Sequence, residues 1–136
     1  MSVWRFFDYV GPSGHSVIED WLVGNPSRRA NLDAMLAYLA ILPDWSKQPR
    51  AFKWLKGVKS KGLGEIRFEC DRLPHRVFGC LGDSPGRFIL LVGCCKQTTK
   101  YSGGALYFPP NAFELAAQRR DEYDDHRATV VERLLI

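Results

Sequence analysis

The sequence predicts an α+β domain, and three observations lead there. Residues 3–10, VWRFFDYV, are a β-branched and aromatic run that stops at a Gly-Pro-Ser-Gly turn, the pattern of a strand. Two helical patterns follow it. Three short strand-like runs then lie between Gly64 and Cys95, joined by tight turns that imply an antiparallel meander. That order places helices on one face of a small sheet.

Each element has a local reason. Residues 16–23, SVIEDWLV, put Val17, Ile18, Trp21 and Leu22 on one side and stop at Gly24. Asn25-Pro26 is an N-cap followed by proline at the first helical position. Leu32, Met35, Leu36 and Leu39 then recur at helical spacing, and Pro43 closes the segment. So short a link between two helices predicts an antiparallel hairpin. Residues 43–62 read as a connector anchored by Phe52, Trp54 and Leu55.

Gly64–Cys70 alternates, with Ile66 and Phe68 on one face and Glu65, Arg67 and Glu69 on the other. HRVFGCL at 75–81 is the second meander strand, and RFILLVGCC, apolar on both faces, is the third and most buried. Residues 98–110 read as a loop. A helix is expected from about Asn111 to Tyr123, with Phe113, Ala116 and Ala117 inward. One domain spans 1–125. The tail at 126–136, HRATVVERLLI, is amphipathic and open to three readings: a helix, an oligomer contact or a partly disordered end.

Composition excludes several classes. The chain has 136 residues, 46% hydrophobic and 25% charged, enough for one ordinary core. No apolar run approaches the roughly 18 residues that span a bilayer. The N-terminus lacks the apolar stretch of a secretory signal, so a soluble cytoplasmic protein is expected. Cys70, Cys80, Cys94 and Cys95 form no C-x-x-C pair, and His15, His75 and His126 are scattered. Adjacent cysteines in a strand point to opposite faces, so buried structural thiols are expected, with no metal and no cofactor. His75, in a turn after Pro74, reads as a surface histidine.

The net charge of +4 is unevenly spread. Lys47, Arg50, Lys53, Lys56, Lys59, Lys61 and Arg67 face one acid, Glu65, so residues 47–67 carry +6 and the rest −2. A localised basic patch is the footprint of a polyanion partner. Arg67, Arg76, Lys96, Lys100 and Tyr101 are the catalytic candidates, with Thr98 and Thr99 beside them. Lys53, Lys56, Lys59 and Lys61 are the RNA-binding candidates. Arginine holds a phosphate through two parallel hydrogen bonds, lysine adds a point charge, and tyrosine stacks or moves a proton. RNA supplies its own nucleophile, the 2′-hydroxyl. A metal-free ribonuclease therefore needs a proton acceptor, charge stabilisation and a leaving-group acid. Arg67 also has a plain alternative, pairing with Glu65 or Glu69, and Tyr107 reads as a loop anchor. Gly62-Leu63-Gly64 is too weak a pattern for a phosphate loop.

GLGEIRF, HRVF, ILLVGCCKQTTK and a closing helix with Ala116 and Arg119 together resemble the phage-derived HigB-like branch of the RelE/ParE toxin superfamily. The motifs cover residues 50–123. The resemblance implies a RelE-like sheet with an N-terminal two-helix hairpin and a C-terminal helix packed on it. It implies the toxin of a type II toxin–antitoxin pair: a metal-independent, ribosome-dependent mRNA endonuclease that inhibits translation. Its partners would be the ribosome, mRNA and a small helix-turn-helix antitoxin, with a homo-oligomer or a toxin–antitoxin hetero-oligomer as possible assemblies and no membrane. By position, Arg67, Arg76 and Lys96 match the family's two arginines and first lysine. Gly64 stands in place of an aromatic, Val92 of a histidine, Cys94 of a phenylalanine and Gln97 of a second lysine. The lost histidine removes one acid–base group. It keeps open a decayed, non-enzymatic module that binds RNA or a partner protein. A ParE-like gyrase inhibitor is the third reading.

Overall fold

The computed structural model describes residues 3–57, 62–98 and 105–135. Its elements are β1 (Arg5–Val10), α1 (Val17–Leu22), α2 (Pro26–Ala40), β2 (Phe52–Trp54), β3 (Gly64–Cys70), β4 (Leu73–Leu81), β5 (Arg87–Thr98), β6 (Ala105–Phe108), α3 (Ala112–Asp124) and β7 (Thr129–Arg133). This is an α+β fold with an open, mostly antiparallel seven-stranded sheet. The strand order is β2-β3-β4-β5-β1-β7, with β6 on the far half of β5. The β1–β5 pair is parallel.

The helix starts follow the capping residues. The Ser16 hydroxyl accepts from the Glu19 amide and Asn25 Oδ1 from the Arg28 amide, both at 3.0 Å. Each satisfies an amide that the first turn leaves without a partner. Gly24, at φ +77°, turns the chain between the helices in a conformation costly for other residues.

The helices do not share one face of the sheet, as the sequence order suggested. β5 is apolar on both sides, so both need cover. Phe6, Ile66, Phe68, Val77, Phe88 and Leu90 pack with Ile18, Leu22, Leu32, Leu36 and Leu39 of α1 and α2. Phe7, Phe78, Cys80, Ile89, Leu91, Val92 and Cys94 pack with Ala112 and Ala116 of α3. A bulge opposite Phe78 and Gly79 lets both Leu91 and Val92 enter the second cluster. Beyond it the alternation resumes, with Cys94 on the α3 face. Gly93 lies under Trp21, where a Cβ would come within 2.2 Å of the indole.

Three stretches that the sequence did not mark as strands are strands. Phe52–Trp54 of the connector pairs with β3, Ala105–Phe108 with β5, and Thr129–Arg133 of the tail with β1. The tail is held by charge as well as by its ladder. Arg133 reaches Asp8 at 2.8 Å, Glu19 at 2.9 Å and Asp33 at 3.6 Å, and Ser16 donates to Asp8 at 2.8 Å. Among the described residues no helix is long and apolar enough to cross a membrane.

Candidate nucleic-acid interface

Strand register brings the predicted cations together. Lys53 lies opposite Glu65, and Glu65 opposite Phe78. In the next row Arg67 lies opposite Arg76, and Arg76 opposite Cys94. In the third, Lys96 pairs with Tyr107 of β6. Phe78 and Cys94 belong to the α3-side cluster, so alternation puts Lys53, Arg67, Arg76 and Lys96 on that same face.

Glu65 organises the centre. Its residue is 3% exposed, yet Arg67 donates to its Oε1 from Nε at 2.9 Å and from Nη2 at 2.6 Å. Arg76 Nε lies 3.8 Å from Glu65 Oε2, and neither atom has a hydrogen-bond partner. Arg76 Nη1 donates to the His75 carbonyl at 2.9 Å, and Arg67 Nη1 to the Pro49 carbonyl at 3.2 Å. A buried carboxylate thus fixes two guanidiniums whose outer edges stay partly in water. Burial pulls the Arg76 pKa down from its ordinary value, opposed by Glu65. Arginine starts so high that it remains a cation. Arg50, Arg67, Phe68, Glu69, Pro74 and Arg76 line a cleft of about 430 Å³ at this end of the sheet.

Tyr107 is the phenol of this face. Its ring meets Phe78 edge-on at 5.3 Å. Burial, then the charge of Glu65, holds its pKa above the usual tyrosine value, so it is a neutral proton donor near pH 7.

Of the predicted residues, Arg67, Arg76, Lys96 and Lys53 share this face, and Lys56 is exposed in the segment after β2. Lys59, Lys61, Lys100 and Tyr101 lie outside the described residues. His75 is not a surface residue. It is 2% exposed, held by Trp21 and Phe68, because its β4 position faces α1 and α2. Val92 is 3% exposed within the apolar cluster beneath α3, and Arg119 donates to the Leu91 carbonyl at 2.7 Å. Sequence reasoning missed two members, Glu65 as organiser and Tyr107 as the phenol. Glu65 was visible as a polar-face residue between basic neighbours, but its second arginine required the β3–β4 register. Tyr107 required β6. Among the described residues, no group of three or more His, Cys, Asp or Glu is placed to hold a metal ion.

No protein-family model matches the chain, and neither a curated protein nor a solved structure matches it at a significant level.

Proposed function

We propose that this chain is the toxin of a type II toxin–antitoxin pair, a metal-independent endoribonuclease that cleaves mRNA on the ribosome. One observation carries the reading: Lys53, Arg67, Arg76 and Lys96 are gathered on one sheet face beside a neutral Tyr107. The order strand, two helices, antiparallel meander and helix also supports the RelE-like architecture that the motif resemblance implies.

In this reading Arg67 and Arg76 bind the scissile phosphate, already aimed by Glu65. Preorganised donors stabilise the charge that builds on phosphorus without reorienting as the reaction proceeds. The ribose 2′-hydroxyl attacks phosphorus and gives its proton to solvent water. The P–O5′ bond breaks, and the departing 5′-oxygen takes a proton from Tyr107, whose phenolate is reprotonated from solvent. Lys96, next to Tyr107 across the β5–β6 ladder, stabilises the same developing charge. Lys53 and Lys56 follow the backbone of the flanking nucleotides. Lys59, Lys61, Lys100 and Tyr101 remain part of the proposal by sequence position. A shallow cationic face relies on the ribosome to position the substrate, and a small helix-turn-helix antitoxin would cover it.

A second reading is favoured by two observations. Val92 is buried where the family pattern has histidine, and Arg67 already spends two donors on Glu65. Both fit a face that binds RNA without cleaving it.

Induced expression in bacteria separates the two. A nuclease arrests growth and fragments mRNA. The Lys96→Ala/Tyr107→Phe variant, which leaves the Glu65 pairing intact, does neither. Continued growth with intact mRNA on expression of the native chain rejects cleavage. Retained single-stranded RNA binding by the purified protein then selects the second reading.

A further inference from the structure

On the opposite face of the same two strands, the next residues along form a different chemical group. Cys95 Sγ lies 3.3 Å from His75 Nε2 and 3.4 Å from Arg28 Nη2. The other imidazole nitrogen, Nδ1, lies 2.9 Å from the Leu73 carbonyl. A carbonyl only accepts, so Nδ1 carries the proton and the neutral ring presents its Nε2 lone pair to the thiol. Trp21 and Phe68 hold the ring in place, at centroid distances of 5.9 and 5.2 Å. Arg28 is fixed by its own bond to the Trp21 carbonyl at 3.0 Å and by its position 4.6 Å over the Trp21 ring. Its Nε is buried and has no hydrogen-bond partner. Thiol, base, orienting carbonyl and fixed cation make the constellation of an activated nucleophile.

We propose that Cys95 is a reactive thiol and the site at which a small hydroperoxide oxidises this protein. His75 takes the thiol proton, and Arg28 stabilises the thiolate. The sulfur attacks one peroxide oxygen and the O–O bond breaks. The departing hydroxide takes the proton from His75 and leaves as water. Sulfur is oxidised by two electrons to sulfenic acid and the peroxide is reduced.

The other thiols lack this surrounding. Burial pushes Cys80 and Cys94 up to about 12 and raises Cys70, which keeps all three as neutral thiols. Cys95 itself is 6% exposed, so only a small oxidant can reach the sulfur and a bulky alkylating reagent is kept out. The modified sulfur would sit behind the cationic face, since the His75 carbonyl holds Arg76 Nη1.

The test exposes native protein to hydrogen peroxide and follows oxygen addition at each cysteine by peptide mass spectrometry. Cys95 oxidises first. His75→Gln slows it by roughly tenfold or more, the scale of losing a positioned base. Guanidinium-denatured protein shows no preference among the four. Oxidation of Cys95 no sooner than Cys70, Cys80 or Cys94 in the native protein overturns the proposal. If His75→Gln does not fold by circular dichroism, Arg28→Gln takes its place, and an unchanged Cys95 rate in a folded variant also overturns it.

Discussion

Arg133 and Arg67 each meet a buried carboxylate, but on opposite faces of the sheet and with different access to water. The Arg133 and Asp8 side chains are 6% and 3% exposed and sealed under α1 and α2. Arg67 meets an equally buried partner, Glu65 at 4%, but is itself 25% exposed. The first cluster turns its charges on one another, with Glu19 and Asp33 sharing the guanidinium, and fastens β7 to the fold. The second buries the acid and most of Arg76, whose side chain is 12% exposed, and leaves Arg67 the more open of its two arginines. A cation enclosed by acids can only stabilise. A cation held from behind by one acid can also bind an anion.

The contrast predicts unequal costs. Arg133→Ala removes the cation from a sealed carboxylate and should lower stability by about 3–5 kcal/mol in denaturant melts. Arg67→Ala leaves Glu65 with Arg76 close by, so about 1–3 kcal/mol is expected. Equal losses would show that the two clusters do the same structural job.

Thiols sharpen the comparison at alkaline pH. Cys80 and Cys94 ionise near 9.0 when unfolded but are pushed up to about 12 by burial in the fold. Above 9 the unfolded chain binds fewer protons than the folded one, so stability falls as pH rises towards 12. Each thiol contributes a slope of up to about 1.4 kcal/mol per pH unit. Cys94→Ala should flatten the alkaline limb by that amount, and an unchanged limb would remove Cys94 from the buried face.

The smallest effects belong to Lys96. Lys96→Ala should change stability by less than about 0.5 kcal/mol. It should lessen the salt dependence of single-stranded RNA binding by about 0.7 in log–log slope, one phosphate contact. A variant with an unaltered slope would place the bound strand elsewhere.

Much of this was legible in the sequence, for local reasons. Asn25-Pro26, the alternation of Ile66 and Phe68, and the doubly apolar β5 announce their own structures. The three unexpected strands depend on distant partners. FKW becomes a strand because Ile66 lies opposite Phe52, and TVVER because β1 offers a free edge and Asp8 a counter-ion. The candidate site divides in the same way. Arg67, Arg76 and Lys96 could be named from the pattern of polar positions. That one acid would hold two of them, and that Tyr107 would stand beside the third, required register. His75 looked exposed because a turn precedes it, whereas its strand parity turns it inward.

The most direct test of the central claim uses purified ribosomes programmed with mRNA, with the new 5′ ends mapped after protein is added. Discrete cleavage is expected that requires ribosomes, occurs with the native chain and disappears with Lys96→Ala/Tyr107→Phe. Intact mRNA under native protein, or undiminished cleavage by that folded variant, would contradict it.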